Sequence, residues 1–221
     1  MFGRLLEAHD VAVVNNPTVL MRAGTKAYLD EFPAEVRPRS LMTRNEEDVR
    51  KFISAVGRAI IKPLCGAKGR NMFVIDGDDE PNLNQMMEAV LEDGYVYAQG
   101  YIEGADEGDI RIFLLDGELI EFDGHVSAFR RVPEGNDCRP NISTGGRMQP
   151  PDITDKQRAV VKAMRDKLLQ DAMFFVGIDV IGDKDVEINA ESPGGLQAIE
   201  HLYDVDMCPV VIDALERRTQ D

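Results

Sequence analysis

The stretch "FVGIDVIGDKDVEINAESPGG", residues 175–195, places acidic side chains inside two otherwise apolar strands. The first strand carries one acid, Asp179, and the second carries several polar residues. Because successive strand residues point to opposite faces, the second strand has one apolar and one polar face. The apolar face carries Val186, Ile188 and Ala190, and the polar face carries Glu187, Asn189 and Glu191.

The length of the turn at "GDKD", residues 182–185, decides whether these acids meet. With a two-residue loop, Asp179 faces away from Glu187. With a three-residue loop, Asp179 lies opposite Glu187 or Asn189 on one face. Two carboxylates ~4 Å apart would repel by ~4 kcal/mol at an effective dielectric near ~20, so this arrangement requires a cation between them. Two carboxylates and an amide oxygen suit magnesium. The alternative is that these residues form the solvated face of an edge hairpin.

The composition of the 221-residue chain is that of a globular protein. Its longest apolar stretches, such as "YVYAQGYI", are far shorter than the ~20 residues of a membrane helix. Charges in the opening "MFGRLLEAHD" argue against a signal peptide. We therefore expect a cytoplasmic protein with no membrane partner.

The charge balance limits the choice of partners further. Twenty-five basic and 40 acidic residues give a net charge of −15, which argues against a nucleic-acid partner. The three cysteines, Cys65, Cys138 and Cys208, are too widely scattered to suggest a zinc site, and we expect reduced, unpaired thiols.

Hydrophobic periodicity predicts alternating strands and helices up to about residue 97, then mainly consecutive strands with helices beside them. Capping boxes at "TRNE" (43–46) and "TDKQ" (154–157) predict two helix starts, and Asp116-Gly117 predicts a hairpin turn. This pattern indicates an α+β fold of two lobes. Strands are predicted at 11–17, 58–64, 72–76, 95–102, within 109–124, at 125–132, 175–181 and 186–190, and helices at 23–32, 43–55, 82–94, 154–170 and 208–218.

Several cations could bind an anion. Lys62 ends an apolar strand and is followed by the loop "CGAKGRN", although no Walker A sequence is present. Arg111 lies inside a strand, and guanidinium groups suit carboxylates and phosphates. A long segment of little regular pattern, 133–152, is typical of a functional or mobile loop. Arg130, Arg139 and Arg147 are further candidates for binding an anion. The alternative for Lys62 is a solvated charge, and the alternative for each arginine is an internal salt bridge.

Taken in order, Lys26, "IIKPLCGAKGRNMF", "AQGYI", "GDIRIFLLDGE", "CRPNISTGGR", "FVGIDVIGD" and "EINAESPGG" resemble the ATP-grasp superfamily, and within it the bacterial glutathione synthetases. The resemblance runs from about residue 12 to the C-terminus. It implies two α+β lobes with the nucleotide between them. Residues 17–97 would form the small lobe, 98–221 the large lobe with the metal site and a lid loop, and 1–16 the end of a preceding N-terminal region.

The resemblance also implies roles for individual residues. The phosphates and the adenosine would be bound by Lys26, Lys62, Gly66, Lys68, Gly69, Gln99, Gly100, Tyr101, Ile102 and, at the ribose, Asp109. The metal ligands would be Asp179, Glu187 and Asn189, and the groups around the transferred phosphoryl and the acyl carboxylate would be Arg111, Arg139 and Asn141. The substrates would contact Gly145, Gly146, Arg147, Ser192, Gly194 and Gly195.

The implied activity is an ATP- and Mg²⁺-dependent carboxylate–amine ligase, with Mn²⁺ as an alternative ion, that forms an amide through an acyl phosphate. The substrates would be small molecules or short peptides, most closely γ-glutamylcysteine and glycine. Family members carry a further N-terminal domain, so we expect a homo-oligomer or a partner chain that supplies it. A sparser glycine loop and "SPGG" depart from the family pattern. The alternatives are a related ligase with another substrate and a non-catalytic nucleotide-binding fragment.

Overall fold

A computed structural model describes residues 2–66, 70–77, 80–92, 94–133 and 147–220. The helices are α1 (Phe2–Glu7), α2 (Pro17–Ala23), α3 (Glu46–Val56), α4 (Leu83–Leu91), α5 (Asp155–Gln170), α6 (Leu196–Tyr203) and α7 (Cys208–Gln220), with 3₁₀ helices at Lys26–Glu31, Ala34–Val36 and Ala105–Glu107. The strands are β1 (Ser40–Thr43), β2 (Arg58–Pro63), β3 (Phe73–Asp76), β4 (Val96–Gly100), β5 (Asp109–Leu115), β6 (Glu118–Leu119), β7 (Glu121–Phe122), β8 (His125–Val126), β9 (Ala128–Val132), β10 (Arg147–Gln149), β11 (Phe175–Ile181) and β12 (Lys184–Asn189). The predicted α+β class is confirmed.

The first sheet has the strand order β1-β4-β2-β3 and is antiparallel throughout. Helices α3 and α4 pack against it and bury their apolar faces, with Ile53 and Met87 fully buried. Burial of side chains of this size stabilises a fold by about 1.5–3 kcal/mol each. This sheet carries Lys62 on β2 and Gln99 on β4.

The second sheet has the order β10-β9-β5-β11-β12, with β6 paired to β5, and is also antiparallel. Strand β5 alternates, so Ile112 and Leu114 enter a core with helix α5. Phe113 points the other way, into a smaller cluster that helix α6 covers. The remaining part of that second face carries charged residues.

The predicted Asp116-Gly117 turn and the predicted start of helix α5 are both confirmed. Leu115 pairs with Glu118 across Asp116 and Gly117, and the two turn residues have positive φ angles of 48° and 71°. This is the backbone that Asp-Gly adopts most readily in a two-residue hairpin. Helix α5 opens with the complete capping box of Thr154 and Gln157.

Helix α3 begins two residues later than the capping-box pattern predicts. The prediction of Thr43 as its N-cap was wrong, because Thr43 is the last residue of β1. Asn45 is the N-cap, and its side chain accepts from Glu47 N at 2.9 Å. Asparagine caps a helix as well as threonine does, so the helix follows the residue that has left the strand.

The predicted strand at residues 11–17 was also wrong, because these residues pair with no strand in the described part of the chain. The buried side chain of Asn15 bonds with the large sheet instead. It donates to the carbonyls of Phe175 (2.7 Å) and Ala190 (2.8 Å) and accepts from Phe175 N (2.8 Å). Helix α2 then begins at Pro17.

Residues 23–36 lie against the large sheet. The predicted helix at 23–32 is a 3₁₀ helix, and its Tyr28, with Phe32 after it, shares a core with Ile178.

The division into lobes near residue 97 remains a prediction. Helices α1, α2 and α6 were not predicted. Within the described ranges, no helix is long and apolar enough to cross a membrane.

Candidate functional site

A β-bulge sets the register of the β11–β12 hairpin. Ile181 pairs with Lys184, so the loop has two residues, and the prediction that a three-residue loop is required was wrong. The register shifts at the additional residue Val186, and Asp179 then lies opposite Glu187. The predicted pairing of the two acids is therefore confirmed, but a bulge produces it.

Three buried charges and the partly exposed Arg131, from three neighbouring strands, form one network on this face. Asp179 accepts from Arg111 Nε and Nη2 (2.9 Å to the latter) and from Arg131 Nη2 at 2.7 Å. Arg131 also donates to both oxygens of Asp109 at 2.6 Å. The register explains the contact, because Asp109 pairs with Arg131 and Arg111 with Asp179. Two cations and two carboxylates thus balance each other.

Arg131 is the functional candidate that sequence reasoning missed. Asp109, predicted to meet a ribose, has both oxygens bound by this arginine. The signal was the "RR" at 130–131: only one of the two can share a face with Asp109. Choosing between them requires the β5–β9 register, which is not visible in the sequence.

The network shifts the pKa values of Asp179, Asp109 and Arg131. Burial acts to raise the pKa of Asp179, but the charges of Arg111 and Arg131 outweigh it. The pKa is therefore lowered and the carboxylate stays ionised. Burial and the charge of Asp179 raise the pKa of Asp109 to about 6, against the opposing effect of Arg131. Burial acts to lower the pKa of Arg131, but the two carboxylates outweigh this effect, so the pKa is raised above its ordinary value. The face therefore holds one firmly ionised carboxylate beside one that titrates near neutrality.

The donor set fits a hard cation. Glu187 lies opposite Asp179, and Asn189 is the next residue on that face of β12, half-buried like Glu187. The Asn189 amide donates from Nδ2 to Asp179 at 3.3 Å, so it would have to rotate to offer its oxygen to a metal. Carboxylate and amide oxygens are the ligands Mg²⁺ prefers.

Lys62 reaches this site from the first sheet. Its ammonium is buried, donates to Gln99 Oε1 at 3.0 Å and lies 5.6 Å from the Tyr97 ring centre. Burial lowers the pKa of Lys62 to about 8, although the charge of Glu187 acts to raise it. Gln99 was predicted to bind the nucleotide, whereas here its side chain accepts a hydrogen bond from the lysine. Gln99 Nε2 is buried with no hydrogen-bond partner among the described residues.

Lys26 lines a pocket together with the same carboxylate. Lys26 is the first residue of its 3₁₀ helix, and its ammonium donates to Gly66 O at 2.9 Å. Burial lowers the pKa of Lys26, and Glu187 is the largest opposing influence. Lys26, Gly66 and Glu187 line one pocket. The structure thus brings together both predicted lysines and a predicted metal ligand.

Gly100, Tyr101 and Ile102, predicted to bind the nucleotide, already use part of their backbone hydrogen-bonding capacity within the chain. Gly100 N donates to Arg39 O at 2.8 Å and Tyr101 N to Arg58 O at 3.0 Å, so these two donors are already used. Ile102 O accepts from Ala105 N at 3.1 Å.

The "SPGG" segment borders the charged network. Arg111 Nη1 donates to Gly194 O at 3.0 Å, and Ser192 is exposed. Gly195 has φ 116°, and a Cβ there would lie 2.7 Å from the Phe129 ring, so glycine is required where helix α6 begins.

Part of the predicted site lies outside the described residues. This part comprises Lys68, Gly69, Arg139, Asn141, Gly145 and Gly146. Arg147 is described: it is exposed, opens β10 and pairs with Val132.

Comparisons with known proteins agree on the class of fold. The ATP-grasp ligase PsnB, solved with a minimal precursor, is 25% identical with a TM-score of 0.65, over 96% of this chain and 66% of that one. The D-cycloserine synthetase DcsG gives a TM-score of 0.72 at 18% identity, over 99% of this chain and 78% of that one. The fold is therefore ATP-grasp.

Sequence comparison identifies the family. A family model described as "Prokaryotic glutathione synthetase, ATP-grasp domain" matches residues 25–204. The glutathione synthetase of Synechococcus elongatus is 37% identical over 214 residues, 96% of this chain. The chain therefore belongs to the prokaryotic glutathione synthetase ATP-grasp domain family. It spans 64%, 60% and 66% of the length of three such relatives.

Proposed function

We propose that the chain is the ATP-grasp portion of an ATP- and Mg²⁺-dependent carboxylate–amine ligase of glutathione synthetase type. One observation carries the proposal: Lys26 and Glu187 line one pocket, and the charge of Glu187, which lies opposite Asp179, acts to raise the pKa of both Lys26 and the buried Lys62. Cations beside a pair of carboxylates suit a nucleoside triphosphate with its metal, because the cations can bind the phosphates and the carboxylates the metal.

Each group then has a distinct task. Lys26 and Lys62 bind the phosphates, with Gly66, Lys68 and Gly69 around them. Glu187, Asp179 and Asn189 hold Mg²⁺, which when bound neutralises phosphate charge; Mn²⁺ is the alternative ion. Adenosine lies along Gln99, Gly100, Tyr101 and Ile102, with Asp109 nearest the ribose.

The reaction has two steps. A substrate carboxylate attacks the γ-phosphorus of ATP and releases ADP, and an amine then attacks the acyl carbon and releases phosphate. Arg111, Arg139 and Asn141 stabilise the negative charge that both steps concentrate on oxygen. Gly145, Gly146, Arg147, Ser192, Gly194 and Gly195 contact the substrates and keep water from the acyl phosphate.

The substrates proposed first are γ-glutamylcysteine and glycine, because relatives at 37% and 36% identity are named glutathione synthetase. We propose a homo-oligomer as the first assembly to test, with a complex with a partner chain as the alternative.

The test is release of ADP by the 221-residue chain with Mg²⁺-ATP and pairs of acids and amines. We expect release that needs both γ-glutamylcysteine and glycine, and glutathione by mass spectrometry. Release with a different pair would retain the ligase and exclude this substrate. No release with any pair, alone or with added partner, would contradict catalysis.

Two other candidate functions are tested alongside the first. A related amino-acid or peptide ligase with another substrate is favoured by the solved complex of PsnB with a precursor peptide. The other candidate is a non-catalytic nucleotide-binding fragment. The fragment predicts binding of Mg²⁺-ATP by calorimetry with no ADP from any substrate pair.

A further inference from the structure

A fully buried acid, Asp185, lies beside the proposed metal ligands and has no task in the proposed reaction. It pairs with Val180, one step before the register shift of β12. Its Oδ1 accepts from Glu187 N at 3.3 Å, and its Oδ2 has no hydrogen-bond partner within the described residues. An apolar side chain would fill this place without an unpaired oxygen, so packing alone does not explain the carboxyl group.

The turn and the proposed metal site require different registers. The two-residue turn pairs Ile181 with Lys184, and that register, continued, would pair Asp179 with Val186. It would also pair Ile178 with Glu187 and direct Glu187 to the apolar face of Ile178. Only the bulge brings Glu187 back opposite Asp179.

Asp185 lies at the point where the register of β12 changes. Its hydrogen bond to Glu187 N spans Val186, the additional residue of the bulge. Bonds from an Asp side chain to the backbone two residues on give the chain an alternative to the regular strand ladder. Bulges beside active sites commonly redirect a side chain in this way.

We propose that Asp185 is a positioning residue: its side chain holds the β-bulge that places Glu187 opposite Asp179 on the metal-binding face. The metal-binding part of this inference rests on the proposed function, whereas the hydrogen bond and the register do not. Asp185 acts through the backbone of Glu187 and does not itself contact the metal.

The test uses the 221-residue chain with the variants Asp185→Leu, Asp185→Asn and, as a matched control in the exposed turn, Asp183→Asn. Amide hydrogen exchange of Glu187 in the metal-free protein reports the hydrogen bond. Electron paramagnetic resonance with MnCl₂ and a non-hydrolysable ATP analogue reports the metal site. In Asp185→Leu we expect at least about tenfold faster exchange and about tenfold weaker Mn²⁺ binding. Asp185→Asn retains the acceptor oxygen, so both it and the control should stay within about threefold of the wild type.

Deletion of Val186 provides a rescue. Without this residue, the two-residue turn pairs Asp179 directly with Glu187, and no bulge is needed. Asp185→Leu combined with this deletion should therefore recover Mn²⁺ binding to within about fivefold of the wild type. The combined variant also keeps the test available if Asp185→Leu alone does not fold.

Three results would overturn the inference: unchanged exchange and binding in Asp185→Leu, no rescue by the deletion, or Asp185→Asn as weak as Asp185→Leu. The last would mean that the carboxylate charge itself holds the cation. A wild-type chain that binds no Mn²⁺ with the analogue would contradict the proposed function. Exchange at Glu187 would still decide whether Asp185 holds the bulge.

Discussion

Lys62 is a charged residue buried in a sheet, and its protonation depends on what lies in front of it. Burial holds its pKa at about 8, against an ordinary 10.5. The unfolded chain therefore binds more protons than the folded one between these values, so this lysine makes stability rise with pH in that window. Phosphate oxygens next to the ammonium would reverse the shift.

Nucleotide binding should consequently take up a proton above about pH 8. We expect an uptake of up to about one proton per nucleotide at about pH 9 and little at about pH 6.5. Affinity should fall as pH rises through this range. Calorimetry in two buffers of different ionisation enthalpy measures the uptake. Lys62→Arg stays protonated throughout, so it should bind without this uptake; equal uptake by Lys62→Arg would rule out Lys62 as the group that titrates.

Glu187 is the half-buried acid on which both lysines act. Glu187→Gln should lower ADP formation at least about 100-fold, because an amide replaces a charged ligand. Its thermal midpoint should change by less than about 2 °C, because no core contact is lost. ADP release and a thermal melt measure these effects. Asp183→Asn, in the exposed turn of the same hairpin, serves as control; normal turnover by Glu187→Gln would exclude Glu187 as a metal ligand.

At the scale of the elements, three strands of the large sheet assemble the charged network. Strand β5 supplies Asp109 and Arg111, β9 supplies Arg131 and β11 supplies Asp179. The charges are removed from water together, so each depends on the others remaining in place.

Arg131→Met should therefore cost about 3–5 kcal/mol of unfolding free energy, because it leaves two buried carboxylates short of a cation. Among the described residues, the adjacent Arg130→Met breaks only a half-exposed 3.4 Å pair with Glu107, and it should cost less than about 1 kcal/mol. Urea unfolding of the two variants measures the difference. Equal losses would mean that the network around Asp179 does not depend on Arg131.

At the scale of the whole molecule, the site combines two separately packed sheets. Lys62 comes from the first sheet, and Glu187 comes from the second. Each sheet has its own buried core. A ligand that contacts both lysines and Glu187 would therefore link the two sheets and stabilise the whole chain.

Mg²⁺-ATP at about 100 times its dissociation constant should stabilise the folded chain by about 2.7 kcal/mol. For a chain of this length, the thermal midpoint should rise by roughly 5–10 °C. A thermal melt with ATP and a chelator should show only a small part of this rise, and so should Glu187→Gln with Mg²⁺-ATP. A full shift in the presence of the chelator would mean that the metal is not part of the site.

Local signals in the sequence were sufficient where a few adjacent residues determine the backbone. The Asp116-Gly117 turn and the Thr154 capping box are confirmed because their hydrogen bonds close within four residues. Residues 11–17 carry the pattern of a strand, but the partner of Asn15 lies 160 residues away. No local pattern reports a bond of that span.

The sequence by itself determined the α+β class and the polar face on which Glu187 and Asn189 lie, because hydrophobic periodicity and alternation are local properties. The family followed from the resemblance of the ordered motifs. Only the tertiary structure decided that Asp179 meets Glu187 through a bulge, and that Arg131 completes the network. A one-residue shift of register exchanges the two faces of a strand. The buried hydrogen bonds and ion pairs that select the register form only when distant strands pack together.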